Sequence, residues 1–356
     1  MEKVSANSFW KKFCKNIPAL LGLIFISLTG IFALFAYFII PDSSIGANQI
    51  QISIAGQKPG FSADFIQIPY AGETKDNWTS FFIGKQEMPE EIPIDSFWIK
   101  ENRLYYKKFG FNNEPSFDSI VNYKKNGVEV INKKFLLGTD SFGRDLLSRL
   151  ILGGRISFSV GFISVAIALL IGIFFGLMAA YYGSFIDNSI QWLINVIWSI
   201  PTLLMVIALS LALGKGLIQI FIAVGLSSWV EIARVVRGQV LSVKEKEYIE
   251  AAKAFGFSDL RIMFRHILPN ILAPIIVISA GNFASAILLE AGLSFLGLGV
   301  QPPSPSWGIM IKEHYGYIVL DTAYLALVPG FAIMLLVMAF NFVGNGLRDA
   351  LDVKMK

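Results

Sequence analysis

The segment Glu250–Asn270 reads E-A-A-K-A-F-G-F-S-D-L-R-I-M-F-R-H-I-L-P-N, and no other stretch of the chain says as much about function. Its residue types suit docking better than bond chemistry. Ala251 and Ala252 leave a thin face that another protein can approach closely, and Glu250 offers a polar anchor. Gly256 can take the positive φ that ends a helix. Ser258 is placed as an N-cap, with Asp259 in the first turn that follows. Leu260, Met263, Phe264 and Ile267 recur at helical spacing and predict one apolar face. Pro269 stands where a further helix should begin, a position that tolerates proline. The expectation is a helix over Lys244–Phe255, a sharp corner, and a second short helix. On the residues alone, a surface-lying connector without a partner fits as well as a docking loop.

No enzyme site stands beside this loop. The chain contains no H-E-x-x-H, no G-x-S-x-G and no G-x-x-x-x-G-K-[ST]. Gly214-Lys215 is followed by glycine and lacks the upstream glycine of a phosphate loop. Cys14 is the only cysteine, which excludes a disulfide framework and a Cys-based zinc site. His266 and His314 are the only histidines, so a His-rich metal site is excluded too. The reading is therefore no catalytic residue, no metal site and no cofactor on this chain. If ATP powers the protein, the phosphate site is on another subunit.

The elements that must position the loop are membrane spans. Of the 356 residues 54% are hydrophobic and 16% charged, where soluble domains sit near 25% charged. A span needs roughly 20 apolar residues, and a charge at its centre costs about 2.5–3.5 kcal/mol on insertion scales. Uncharged runs predict six spans: 17–40, 156–182, 188–213, a weaker 216–236, 271–289 and 322–347. The first is too long for a signal-peptide core and no small-residue cleavage site follows it, so it reads as a retained helix. In the fourth, Glu231 and Arg234 lie three apart and are expected to pair at the membrane surface. Ala291–Ile311 is uncharged but rich in glycine and proline, so it is expected to be an outside loop or short re-entrant element. Pro201 should kink the third span, as a hinge or a static bend. Gly172 and Gly176 form a G-x-x-x-G whose expected use is packing within the chain.

Orientation follows from lysine and arginine. The tail 1–16 carries Lys3, Lys11, Lys12 and Lys15, the loop 237–269 carries Arg237, Lys244, Lys246, Lys253, Arg261 and Arg265, and the tail 348–356 carries Arg348, Lys354 and Lys356. Six crossings put all three on one side, which is then the cytoplasm. The remaining large segment, 41–137, is an extracytoplasmic insert with balanced charge. It shows strand-like alternation in Gln49–Ile54 and hairpin-like stretches around Glu101-Asn102 and Asn126-Gly127, so a small β-rich domain is expected. Asn77-Trp78-Thr79 matches a glycosylation sequon and carries no weight.

Glu250-Ala251-Ala252, then Gly256, then Leu268-Pro269 resembles the E-A-A-x(3)-G-x(9)-I-x-L-P signature of the permease subunits of ABC importers. His266 stands where the general pattern has isoleucine, and Arg265–Asn270 is similar to the R-H-x-L-P-N of the peptide branch. Gly138-Thr139-Asp140 followed by Gly143–Arg149, Leu289–Pro303 with Trp307-Gly308, and Leu347-Arg348-Asp349 with Leu351-Asp352 resemble other stretches of that branch. Four motifs in order identify the chain as similar to the C-type subunit of dipeptide and oligopeptide importers, a relative of the nickel importers. The insert is longer than expected for that subunit.

The resemblance implies an all-α membrane protein with six spans and a permease core over 138–347, in the inner membrane of a bacterium with both termini cytoplasmic. It implies that Glu250, Ala251, Ala252, Gly256, Leu268 and Pro269 belong to a coupling loop that seats in a cytoplasmic ATPase. The implied partners are a homologous permease forming a heterodimer, two ATPase subunits carrying ATP and magnesium, an extracytoplasmic substrate-binding protein and membrane lipid, with no nucleic acid. Asp140, Arg144, Asp145 and Glu290, the last expected at the outer end of the fifth span, are candidates for an extracytoplasmic gate or binding-protein contact. Nickel or another small solute is the alternative cargo, and a signalling or scaffold protein the alternative class.

Overall fold

The structure, a computed structural model, describes residues 6–70, 80–86, 88–110, 118–124 and 126–351. Asn77-Trp78-Thr79 and the terminal Lys3, Asp352, Lys354 and Lys356 lie outside the described residues. The chain divides into two compact units, one of Met1–Gly30, Ser157–Val300 and Phe331–Lys356, the other of Ile31–Ile156 and Gln301–Gly330.

The chain opens with helices α1 (Ala6–Lys15), α2 (Ile17–Leu34) and α3 (Ala36–Ile39). Asn16 caps α2, its Oδ1 accepting the Ala19 N–H at 3.2 Å. The insert then supplies β1 (Phe61–Ile68), α4 (Ser80–Ile83), β2 (Glu90–Lys100), β3 (Arg103–Lys108), β4 (Asp118–Val121) and β5 (Glu129–Phe135). These strands form one antiparallel sheet in the order β4-β3-β2-β1-β5. The expected turn at Glu101-Asn102 joins β2 to β3, with φ of 48° and 61°, the left-handed pair that a tight two-residue hairpin requires.

Two expectations for the insert fail. The stretch around Asn126-Gly127 is not a hairpin, because β4 and β5 lie on opposite edges of the sheet. Gln49–Ile54 is not a strand. It ends in a 3₁₀ turn over Ile52–Ile54, with Ile50 and Ile52 exposed and only Ile54 buried. Gln51 spends its backbone N–H on the Phe142 carbonyl and its side-chain amide on the Glu91 carbonyl, so no ladder forms. The interior strand β1 carries no visible alternation because both its faces are covered. Phe65 packs with Ile54 and Phe135, while its neighbour Ile66 packs with Ile94 and Leu104, which erases the period of two.

The helical part continues through α5 (Leu146–Tyr182), α6 (Ser184–Trp198), α7 (Thr202–Leu213), α8 (Leu217–Lys244), α9 (Glu247–Ala254), α10 (Asp259–Arg261), a π-helical segment over Ile262–Ile267, α11 (Leu268–Phe295), α12 (Trp307–His314) and α13 (Tyr324–Leu351). Among the described residues five helical stretches are long and apolar enough to cross a membrane, and six if α6 and α7, bent by 90°, count as one broken span. Pro201 stands at that break, where it has no N–H to continue the ladder and its carbonyl instead starts α7 by accepting from Met205. Gly172 and Gly176 pack within the chain: a Cβ at either would come to 2.7 Å of α8, at Ile232 and at the Ala233 carbonyl and Val236. Glu231 and Arg234 do not form the expected pair. Arg234 turns to Asn195, 3.0 Å away, and lies 3.5 Å over the Trp198 ring.

Candidate functional site

The loop between α8 and α11 is built from its residues outward. Helix α8 ends at Lys244, whose Nζ donates to the last carbonyls of α5, Ala180 at 3.2 Å and Tyr181 at 2.6 Å. A cation there answers both the orphan acceptors and the negative end of the helix dipole. Helix α9 then carries Glu250, Ala251 and Ala252, and closes in a Schellman motif. Gly256, at φ +73°, donates to the Lys253 carbonyl at 2.9 Å, and Phe257 donates to the Ala252 carbonyl at 3.2 Å. Ser258 has the extended backbone of an N-cap, but its side chain makes no capping bond. Asp259 serves differently from a first-turn charge: its Oδ1 accepts from the Tyr181 hydroxyl at 2.6 Å, which ties the corner to the end of α5.

The expected apolar face splits in two. Met263 and Ile267 are buried with Ile249, Ala252 and Ile262 in a core shared with Val236, Val240 and Val243 of α8. Leu260 (64% exposed) and Phe264 (54%) point out, as do Tyr248, Glu250, Ala251 and Phe255 (79%). Ala251 and Ala252 therefore divide the work expected of both: Ala252 lets α9 sit close to its own chain, and only Ala251 lies open. The π turn follows before Pro269, with the Leu268 N–H donating to Met263 five residues back. A proline one residue later cannot donate to Arg265, so a change of register fits there. Leu268 is half-buried against the core and Pro269 is exposed.

The result is a compact knuckle with a solvent-facing apolar rim beside Glu250, fixed to α5 by Tyr181–Asp259 and by Lys244, and continuous with α11. Arg237 adds a two-bond clamp on Asp187, at 2.7 and 2.6 Å, between α8 and α6. Sequence reasoning missed Tyr181, Asp187 and the role of Lys244. Their partners are 78, 50 and 63 or 64 residues away, and nothing local marks them.

The other candidate residues do not face solvent. Asp140 is completely buried, and its Oδ1 accepts backbone N–H groups of Phe142 and Arg144. Its Oδ2 takes the Arg144 Nε at 2.6 Å, with the Arg149 Nε at 3.5 Å. Arg144 and Arg149 also reach Glu313, at 2.7 and 3.4 Å. Asp145 is buried and bonded to the Ser148 backbone and hydroxyl, and burial raises its pKa above the usual carboxylate value. His314 completes the cluster, with Nδ1 on the Met310 carbonyl at 2.7 Å and Nε2 near the Ser141 hydroxyl. Burial, the dominant cause, holds its pKa below the ordinary 6.5. A charged segment of this kind reads as surface in a sequence. Here two arginines against two carboxylates neutralise each other in the interior.

Asp140, Glu313 and His314 bring three ligand-type atoms within 4.8 Å of one another. They do not fit a metal, because Arg144 and Arg149 already occupy both carboxylates and would repel a cation. Glu290 is corrected as well. Helix α11 runs past it to Phe295, and its side chain is fully buried, accepting from Ser157 Oγ at 3.1 Å and Ser294 Oγ at 2.7 Å. It is an interior hydrogen-bonded carboxylate within the helix.

A helical membrane protein without an enzyme motif, presenting an internally pinned, solvent-facing knuckle, defines the class. Comparison with known proteins places the chain within it. Residues 172–356 match the binding-protein-dependent transport system inner membrane component, and residues 7–58 match the N-terminal transmembrane domain of oligopeptide transport permease C. The chain belongs to the first of these families, and so is an integral component of an inner membrane. The sheet strands, residues 61–135, lie outside both matches.

The chain is 47% identical over 219 residues to the dipeptide transport system permease protein DppC of Alkalihalophilus pseudofirmus, covering 62% of this chain and 72% of that one. It is 43% identical over 220 residues to the glutathione transport system permease protein GsiD of Pectobacterium atrosepticum, covering 62% and 73%. Among solved structures it is similar to the inward-facing MetNI methionine ABC transporter, with a TM-score of 0.48 and 21% identity over 58% of this chain and 98% of that chain.

Proposed function

We propose that this chain is the permease subunit of an ATP-driven importer, forming the path for dipeptides or oligopeptides together with a homologous permease. The observation that carries the reading is the knuckle at Gly256. It offers Glu250, Ala251, Phe255, Leu260 and Phe264 to solvent while Tyr181–Asp259 and the Lys244 contacts fasten it to a span. The names of the relatives support peptide as cargo. Two cytoplasmic ATPase subunits, carrying ATP and magnesium, seat on the two coupling loops of the heterodimer, and a substrate-binding protein delivers cargo from outside. Both termini and the knuckle are cytoplasmic, in keeping with the lysine and arginine distribution. Closure of the ATPases moves the knuckle, and the linked ends of α5, α8 and α11 transmit that motion to the bundle. Glu250 anchors by polar contact, Ala251 permits close seating, and Gly256 sets the corner, with Leu268 and Pro269 joining it to α11.

The test is a mild-detergent pull-down of the tagged chain from native membranes, with mass spectrometry of what co-purifies. The expected result is a second permease together with phosphate-loop ATPases. Recovery of the chain alone, or with a kinase, overturns the reading.

A further inference from the structure

Two cavities in the helix bundle share a wall. One, of about 770 Å³, lies among α8, α11 and α13. The other, of about 290 Å³, lies among α6, α7, α8 and α11. Glu231, Asn282 and Ser285 line both. Glu231 and Asn282 stand near the middle of α8 and α11, where an ionisable or amide group is expensive unless it faces a polar space or a partner. Among the described residues no cation pairs with Glu231. Arg234 is held by Asn195 and Trp198, and Arg237 by Asp187. Asn282 is 4% exposed, and its Nδ2 has no hydrogen-bond partner. A buried amide donor without a protein partner can be satisfied by an acceptor such as a ligand carbonyl. Gln239, Asn345 and Arg348 continue the polar lining of the larger cavity.

A free carboxylate, an open amide donor and a hydroxyl are complementary to one end of a peptide: its α-ammonium group and first carbonyl. They suit a transition metal poorly, since such ions favour imidazole and thiolate ligands. We infer that Glu231, Asn282 and Ser285 form the cargo-contacting station of the import path, with Glu231 taking the peptide ammonium group and Asn282 its first carbonyl. This rests on the peptide-importer reading.

The test uses the assembled, nucleotide-free complex and a radiolabelled tripeptide with a water-soluble carbodiimide. The reagent activates the Glu231 carboxylate and the peptide amine displaces it, which leaves an amide on the protein and a urea in solution. The expected adduct at Glu231 exceeds that at exposed Glu247 by about tenfold or more, and is suppressed by excess unlabelled tripeptide but not by its N-acetyl form. In proteoliposomes with the binding protein, Glu231→Gln should lower tripeptide uptake about tenfold, and Glu231→Asp should restore it to within about threefold, with ATP hydrolysis stimulated by loaded binding protein unchanged in both.

Equal labelling at Glu231 and Glu247, or full uptake by Glu231→Gln, overturns the station while importing by the unmutated complex leaves the function standing. Absence of uptake by the unmutated complex overturns both. Equal loss of uptake and of ATP hydrolysis in Glu231→Gln and Glu231→Asp makes Glu231 a packing residue and also overturns the station.

Discussion

The segments Gly138–Arg149 and Glu250–Pro269 look alike in sequence: both are short, both mix charge with glycine, and both carry a motif. The structure treats them in opposite ways. In the first, Asp140, Arg144, Asp145 and Arg149 are all buried, and their charges are answered within the fold. In the second, Glu250, Ala251, Phe255, Leu260 and Phe264 are exposed. Gly143 and Gly256 share the left-handed backbone, with φ of 74° and 73°, but their surroundings differ in the same sense. At Gly143 a side chain would run into the Gln51 carbonyl, whereas at Gly256 a Cβ would meet nothing within 4 Å. Gly143 is required by packing as well as by backbone direction, and Gly256 by backbone direction alone. A motif folded into the interior and a motif left open to solvent cannot be told apart by charge or spacing, only by where the atoms face.

The sharpest break of this comparison is Arg144→Ala. It leaves Asp140 and the partly buried Glu313 with only the longer Arg149 contacts, at 3.5 and 3.4 Å, and loss of one partner of a buried ion pair typically costs about 3–5 kcal/mol. The purified protein should lose most of its thermal stability in detergent, and an unchanged melting curve would show that the cluster is solvated. Next, Gly256→Pro removes the N–H bonded to Lys253 and forbids the positive φ. Uptake should fall to background with membrane insertion intact, and normal uptake would sink the coupling-loop assignment.

Phe255→Glu is the converse test, since it alters an exposed side chain. Stability should change by less than about 0.5 kcal/mol, while ATPase recovered in the pull-down drops about tenfold, equivalent to about 1.4 kcal/mol of docking. Undiminished recovery would place the docking face elsewhere. Tyr181→Phe removes only the hydroxyl bonded to Asp259, a charge-assisted bond worth about 1.5–3 kcal/mol. The expected phenotype is docking retained with uptake reduced, seen as a higher ratio of ATP hydrolysed to peptide moved.

The smallest effect concerns pH. The folded state holds His314 below its ordinary 6.5, so its neutral form contributes stability that is fully present above that value. That contribution is lost as pH falls from 6.5 through the folded value. Asp140, Glu313 and Arg144 face the same ring, and the arginine works with burial against its protonation. His314→Asn should flatten the acid-side loss of stability by up to about 1.4 kcal/mol per pH unit over that window. Identical pH profiles for the two proteins would remove His314 from the balance.

Much of the bundle was legible in the sequence. Uncharged runs mark the long helices, Pro201 marks the break between α6 and α7, and Gly256 marks the corner. These signals are local: apolar length, a missing N–H and a missing Cβ act on the chain wherever it sits. The strand β1 was illegible because Phe65 and Ile66 each find a separate core, so no alternation survives. Glu290 reads as the end of a helix because an uncharged run that meets a glutamate looks finished, whereas α11 continues through it, with the carboxylate bonded to Ser157 and Ser294.

The site divides along the same line. The sequence by itself determined that the chain lives in a membrane, that it carries no H-E-x-x-H, G-x-S-x-G or phosphate-loop motif, and that a helix–corner–helix lies between two spans. Those conclusions need only composition and near-neighbour stereochemistry. Only the tertiary structure decided which side of that knuckle is open, that Tyr181 and Lys244 fasten it to α5, that Asp140 and Arg144 serve the interior, and that Glu231 and Asn282 share one cavity wall. Each of those depends on partners tens or hundreds of residues away, and whether a charge is buried or free is a property of its partners, which no local pattern encodes.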